Sequence, residues 1–194
     1  MAVTPRRDGG LEVEPLFPPG SPSAGLAEFL AKLKSRIKPR LYDVGPAPGG
    51  NIVFFAGRGL RVYVDADRDH RLARAAPDLG HLATGDFEAA VLWDVIDFLS
   101  KEQVAPFARD LARIVSPGGL IFLLSSSSRS QEPAPVYTFF IELDGRIVAR
   151  PLDAPHAPRI RRENRDLAML FDSFETVSVH LLRSGMREIL LKRR

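Results

Sequence analysis

Apolar residues Leu26, Phe29, Leu30, Leu33 and Ile37 recur three and four residues apart. That spacing predicts a helix that begins near Ser23, a suitable N-cap, and is ended by Pro39. Leu41-Tyr42-Asp43-Val44 then reads as a short strand and Gly45–Gly50 as a turn. Asn51–Ala56 reads as a helix stopped by Gly57 and Gly59, and Leu60–Val64 alternates as a strand ending at Asp65. Strand, glycine-rich turn, helix, strand and acid form the opening βαβ unit of a parallel α/β sheet.

The stretch 66–86 is compressed. Asp67–Ala76 predicts a short helix with Leu72 and Ala75 facing inward, and Leu82-Ala83-Thr84 a vestigial strand. Residues Glu88–Asp94 predict a buried strand. Ser100 caps the next helix with Gln103 as its capping-box partner, and Val104, Phe107, Leu111, Ile114 and Val115 form the apolar face. Pro117-Gly118-Gly119 ends that helix. Leu120–Leu124 follows as a strand covered on both sheet faces. Asp144-Gly145, between Tyr137–Leu143 and Arg146–Arg150, is a hairpin signal. Arg162–Phe171 fits a helix, and Thr176–Leu182 and Arg187–Leu191 fit two closing strands. Residues 1–22 hold five prolines and read as an irregular or disordered arm; residues 23–194 read as one domain, with 136–150 an extra hairpin.

Composition narrows the function classes. The 194 residues contain no cysteine, which excludes disulfides, thiolate metal sites and a cysteine nucleophile. His70, His81, His156 and His180 are scattered without metal-ligand spacing, so no metal is expected. No apolar run approaches the roughly 20 residues that span a bilayer, and no apolar stretch follows the two arginines near the start. A cytoplasmic protein with no membrane partner is expected. The net charge of +3 is too small to imply nucleic acid by itself. Lys32, Lys34, Arg36, Lys38 and Arg40 crowd the end of the first helix, where cations complement the helix dipole; an acidic or nucleic-acid partner is the alternative.

The candidate chemistry lies in Asp43-Val44-Gly45-Pro46-Ala47-Pro48-Gly49-Gly50 and in Asp65. Glycines at such a turn let backbone approach a ligand, and the following helix offers free N–H groups to an anionic moiety. An acid ending the second strand can accept protons from two ribose hydroxyls. The set describes a site for an adenosine-containing cofactor.

On these residues the chain resembles the class I S-adenosylmethionine-dependent methyltransferases. Asp43, Gly45 and Gly49 fall in register with their first motif, with Ala47 at its central glycine. Val64-Asp65 matches the end of their second strand, residues 87–99 their fourth strand and following loop, and residues 113–122 their helix–Pro-Gly-Gly–strand segment. The resemblance covers residues 24–194. It implies a Rossmann-like three-layer sandwich, mostly parallel, with a C-terminal antiparallel hairpin. It also implies S-adenosylmethionine as cofactor. Asp43, Gly45, Pro46, Ala47, Gly49 and Gly50 would hold the methionine moiety, and Asp65 the ribose. Asp86, after the expected third strand, would meet the adenine amine. Trp93 and Asp94 would face the methyl group and acceptor, with Asp94 the candidate catalytic acid–base residue.

Nicotinamide-dependent proteins are the nearest alternative. Their Gly-x-Gly-x-x-Gly pattern started at Gly45 finds Gly50 but not a glycine at 47. The Ala47-Pro48-Gly49-Gly50 turn is similar to one in RNA 2′-O-methyltransferases, but the few lysines do not supply that family's Lys–Asp–Lys–Glu tetrad. The shortened 66–90 region keeps a catalytically silent, methyltransferase-like scaffold as the rival reading. The acceptor is open, nucleic acid included, and the 136–150 hairpin offers an edge for a homodimer.

Overall fold

The computed structural model describes residues 3–5, 11–13, 16–17, 19–20, 22–65, 69–127 and 133–194. Asp67 and Ser128–Gln131, and most of the arm, lie outside them. In the arm, β1 (Val3–Pro5) pairs antiparallel with β2 (Leu11–Val13).

The main sheet has six strands. They are β3 (Arg40–Val44), β4 (Arg61–Asp65), β5 (Phe87–Val91), β6 (Val115–Ser126), β9 (Phe174–Leu181) and β10 (Met186–Arg193), in the order β4-β3-β5-β6-β10-β9. The first four run parallel, and β10 enters antiparallel against both β6 and β9. A separate hairpin joins β7 (Tyr137–Ile141) to β8 (Ile147–Pro151) around Asp144-Gly145. The fold is the mostly parallel α/β sandwich with a C-terminal antiparallel pair that the pattern predicts.

Alternation along the strands builds two cores. Leu41, Ala89, Val91, Phe122 and Leu124 face α1 (Ala24–Leu33), α2 (Gly49–Ala56) and the β7–β8 hairpin. Tyr42, Val44, Ala90, Leu92 and Ile121 face α4 (Lys101–Ile114) and the start of β9, with Leu167 of α5 (Asn164–Leu170) on the same side. Ser23 caps α1 by accepting from the Leu26 amide, and Gln103 closes the α4 capping box.

Three expectations change. First, α1 ends at Leu33, and Ile37 is 95% exposed rather than part of its apolar face. A residue before proline is disfavoured in the helical region, and Lys38, before Pro39, instead takes φ 48°. Second, Leu82-Ala83-Thr84 forms no strand, so β4 is the sheet edge. That segment is tied instead to α4, where the Arg113 guanidinium donates to the carbonyls of Leu79 and Leu82. Leu72, expected inward, is 42% exposed on the four-residue α3 (His70–Ala73). Third, Pro117-Gly118-Gly119 does not precede β6 but lies within it. Pairing with β5 slips there, from Phe87–Val115 to Ala89–Leu120, and a Cβ on Gly119 would meet Val115 Cγ1 at 2.6 Å.

Candidate functional site

The chain passes from β4 on one side of β3 to β5 on the other. Their carboxyl ends therefore bound a topological switch point, where open α/β sheets place ligands. Asp43 and Gly45 sit at the end of β3, Asp65 ends β4, and Trp93 and Asp94 follow β5.

Asp43 is fully buried. Its Oδ1 accepts from Trp93 Nε1 at 2.7 Å, and its Oδ2 is buried without a hydrogen-bond partner among the described residues. Burial penalises the carboxylate and pushes the Asp43 pKa up to about 7, against the stabilising Trp93 bond. Gly45 takes φ 144°, a region that only glycine enters without strain, which turns the chain past Trp93. Trp93 itself adopts φ 43° and stacks on Phe139 of β7, with centroids 5.6 Å apart and planes 6° from parallel. Gly49 and Gly50 open α2 behind the unbonded cap Pro48, and nothing lies within 4 Å of where their Cβ atoms would be. Among the described residues no packing contact demands glycine there, and the space leaves the amides of Gly49 and Gly50 open to a ligand, while the Asn51 amide donates to the Pro48 carbonyl.

The opposite wall is α3. Asp65 Oδ2 accepts from the Tyr42 hydroxyl at 3.0 Å and lies 3.0 Å from His70 Nε2. Arg71 is buried, and its guanidinium bonds Asp69, Asp94 Oδ1 and the Tyr137 carbonyl together. Arg159 reaches the other Asp94 oxygen at 3.0 Å and approaches Asp97 Oδ2 at 3.9 Å. The space left between Gly45-Pro46, α3, Trp93 and Phe139 is ≈ 10 Å³, room for about one water.

The fold thus brings together Asp43, Gly45, Pro46, Trp93 and Asp94, with Asp65 behind His70 and with Ala47, Gly49 and Gly50 on the adjoining loop. Asp86 is corrected. It precedes β5, at the amino-terminal end of the sheet, and pairs with Arg40 at 2.6 Å. With the third strand absent, no loop carries it to the ligand side. Asp94, the expected acid–base residue, has both oxygens engaged by guanidinium groups, Oδ1 by Arg71 and Oδ2 by Arg159.

Two participants escaped sequence reasoning. Asn51 is fully buried, donates to the Phe139 carbonyl at 2.9 Å and accepts from the Ile141 amide at 2.8 Å. Its signal is one amide in the otherwise apolar stretch Asn51–Ala56. Arg71 has no sequence signal beyond its place between Asp69 and Leu72.

No protein-family model and no curated protein matches the sequence. Solved structures do. An S-adenosylmethionine-dependent methyltransferase from Mesorhizobium loti aligns with TM-score 0.60 at 16% identity, over 88% of this chain and 98% of that one. The glycopeptide N-methyltransferase MtfA, with S-adenosylhomocysteine, aligns with TM-score 0.55 at 16% identity over 90% and 91%. An amino pentose methyltransferase from Micromonospora echinaspora, with S-adenosylmethionine bound, gives 0.53 at 17% over 89% and 92%. The chain has the class I methyltransferase fold. In this fold the Gly45–Gly50 loop follows β3 and Asp65 ends β4.

Proposed function

We propose that the protein binds S-adenosylmethionine at this switch point and transfers its methyl group to an acceptor. The observation that carries the reading is Asp43. A buried carboxyl with one oxygen unpartnered among the described residues, beside a loop whose Gly49 and Gly50 face open space, suits a donor-bearing ligand. The donor and acceptor chemistry fits the cofactor: Asp43 and the 45–50 backbone suit its charged amino-acid end, and Asp65 suits ribose hydroxyls. The ≈ 10 Å³ between the walls does not admit it until the α3 wall, with Arg71, gives way.

When bound, the cofactor supplies an electrophilic methyl group on a sulfonium. The chain's own part is positional. Asp43 orients Trp93 through the indole N–H, Gly45 sets the backbone past that ring, and the Asp94–Arg71–Arg159 cluster fixes the opposite wall. Holding two reactants in line replaces much of the entropy cost of meeting in solution.

The same closed volume favours a second reading, a catalytically silent protein of this fold. Thermal unfolding and the fluorescence of Trp93, the sole tryptophan, separate the two. Millimolar S-adenosylmethionine or S-adenosylhomocysteine at 100 times its Kd stabilises by about 2.7 kcal/mol. That shift, absent in Asp65→Ala, with altered Trp93 emission, supports the first reading. No shift with either supports the silent one, and a shift with NAD alone points to an oxidoreductase.

A further inference from the structure

At the amino-terminal edge of the sheet, away from the site, a groove of ≈ 560 Å³ runs between the end of α1 and the end of α2. Its floor is aliphatic, with Leu30, Leu33 and Leu60. Its rim carries Lys34, Arg36, Lys38 and Arg58. Among the described residues none of these four pairs with a carboxylate, whereas the flanking Lys32 and Arg40 are answered by Glu28 and Asp86. Arg36 and Arg58 are braced by neutral carbonyls, of Gly118 for the first and of Phe54 and Leu143 for the second, so their charge stays uncompensated. The dipole of α1 is equivalent to roughly half a charge at its C-terminus, and one cation answers it. Four cations are more than the helix needs. Between Arg36 and Lys38 stands Ile37, 95% exposed, and Leu143, beside Arg58, is 81% exposed.

We propose that this groove and Ile37 form a peripheral docking surface for an anionic phospholipid bilayer. The cations match acidic headgroups, and the exposed Ile37 and Leu143 among them match the acyl boundary beneath. Nucleic acid fits less well. Among the described residues no aromatic ring lines the groove to stack on a base, and a phosphate backbone would leave the exposed Ile37 and Leu143 idle. No helix among the described residues is long and apolar enough to cross a membrane. Surface docking needs no such helix, so the sequence expectation of no membrane partner, drawn from the lack of a span, does not bear on it.

The test is co-sedimentation of the full chain with phosphatidylcholine vesicles, with and without 30% phosphatidylserine, at low and high salt. Binding is expected only with phosphatidylserine, and it weakens as salt rises. Lys34→Glu/Lys38→Glu should lower partitioning roughly tenfold or more, and Ile37→Ser several-fold. All three positions are on the surface side of the groove, and an unchanged unfolding midpoint certifies the fold. Equal binding to both vesicles, no binding, or variants that bind like wild type would overturn the proposal. So would salt-dependent capture of single-stranded poly(U) that the charge reversals abolish while vesicles stay unbound, an outcome that assigns the groove to nucleic acid. Neither readout involves methyl transfer, so failure here leaves the proposed function standing, and the reverse.

Discussion

At the residue scale the most consequential group is Asp43. An unfolded aspartate gives up its proton near pH 3.8, whereas the folded one holds it to about 7 because burial penalises the charge. Between those values the native state binds more protons than the unfolded chain. Stability therefore falls as pH rises from about 4 to 7 and is flat above. Asp43→Asn should remove this slope, leaving the smaller one of like sign from buried Asp97, whose pKa is pushed up to about 6. It should stand above wild type at pH 8 by a few kcal/mol, at roughly 1.4 kcal/mol per pH unit, relative to their difference at pH 4. Unfolding midpoints across pH 4–8 check this, and parallel curves for the two proteins would refute it. The same proton links to the proposed ligand. A cationic group seated on Oδ2 favours the carboxylate, so cofactor affinity should rise up to about tenfold per pH unit below 7 and level off above. Trp93 fluorescence titrations read that profile. Asp43 and Gly45 were legible from sequence because motif spacing is local. The engagement of Asp94 was not, since its partners Arg71 and Arg159 lie 23 and 65 residues away.

At the element scale the β7–β8 hairpin is legible from Asp144-Gly145, but its docking is not. Asn51 grips the backbone of β7 across 88 residues of sequence, and no periodicity encodes such a contact. The missing strand failed for the opposite reason: Leu82-Ala83-Thr84 has strand-like residues, but Arg113 holds the carbonyls of Leu79 and Leu82 against α4. The hairpin contributes Phe139, which both stabilises the core and fills the site. Phe139→Ala should thus cost about 3–5 kcal/mol of stability while tightening cofactor binding, since the ring no longer fills space beside Trp93. Asn51→Ala leaves the Ile141 amide and the Phe139 carbonyl without their partner and should cost about 1–3 kcal/mol without that gain in affinity. Denaturant unfolding and fluorescence titration on the two variants separate the effects. Weaker binding in Phe139→Ala would mean that the ring forms part of the ligand surface.

At the scale of the whole molecule, the parallel sheet and its two covered faces were readable because burial on both faces leaves continuous apolar runs such as Leu120–Leu124. Which wall of the site yields was not readable, and the core decides it. Tyr137, Phe139, Ile141 and Ile147 of the hairpin all join the cluster under α1 and α2. At roughly 1.5–3 kcal/mol for each buried large side chain, their withdrawal together would cost an amount comparable to the 5–15 kcal/mol that holds a whole domain folded. The hairpin therefore cannot swing away as a unit. The α3 wall is built differently: four residues long, with Leu72 exposed and its hold on the site made by polar bonds from His70 and Arg71. Such bonds exchange for water and ligand at a net cost of about 0.5–3 kcal/mol each. Opening should run through α3. Native-state hydrogen exchange should find the amides of Leu72 and Ala73 exchanging far below the global unfolding free energy, and those of Phe140 and Ile141 near it. Arg71→Met, which removes the charged link to Asp94 and Tyr137, should speed exchange in α3 and leave the hairpin protected. The reverse pattern, a labile hairpin beside a protected α3, would put the entrance on the other side of Trp93.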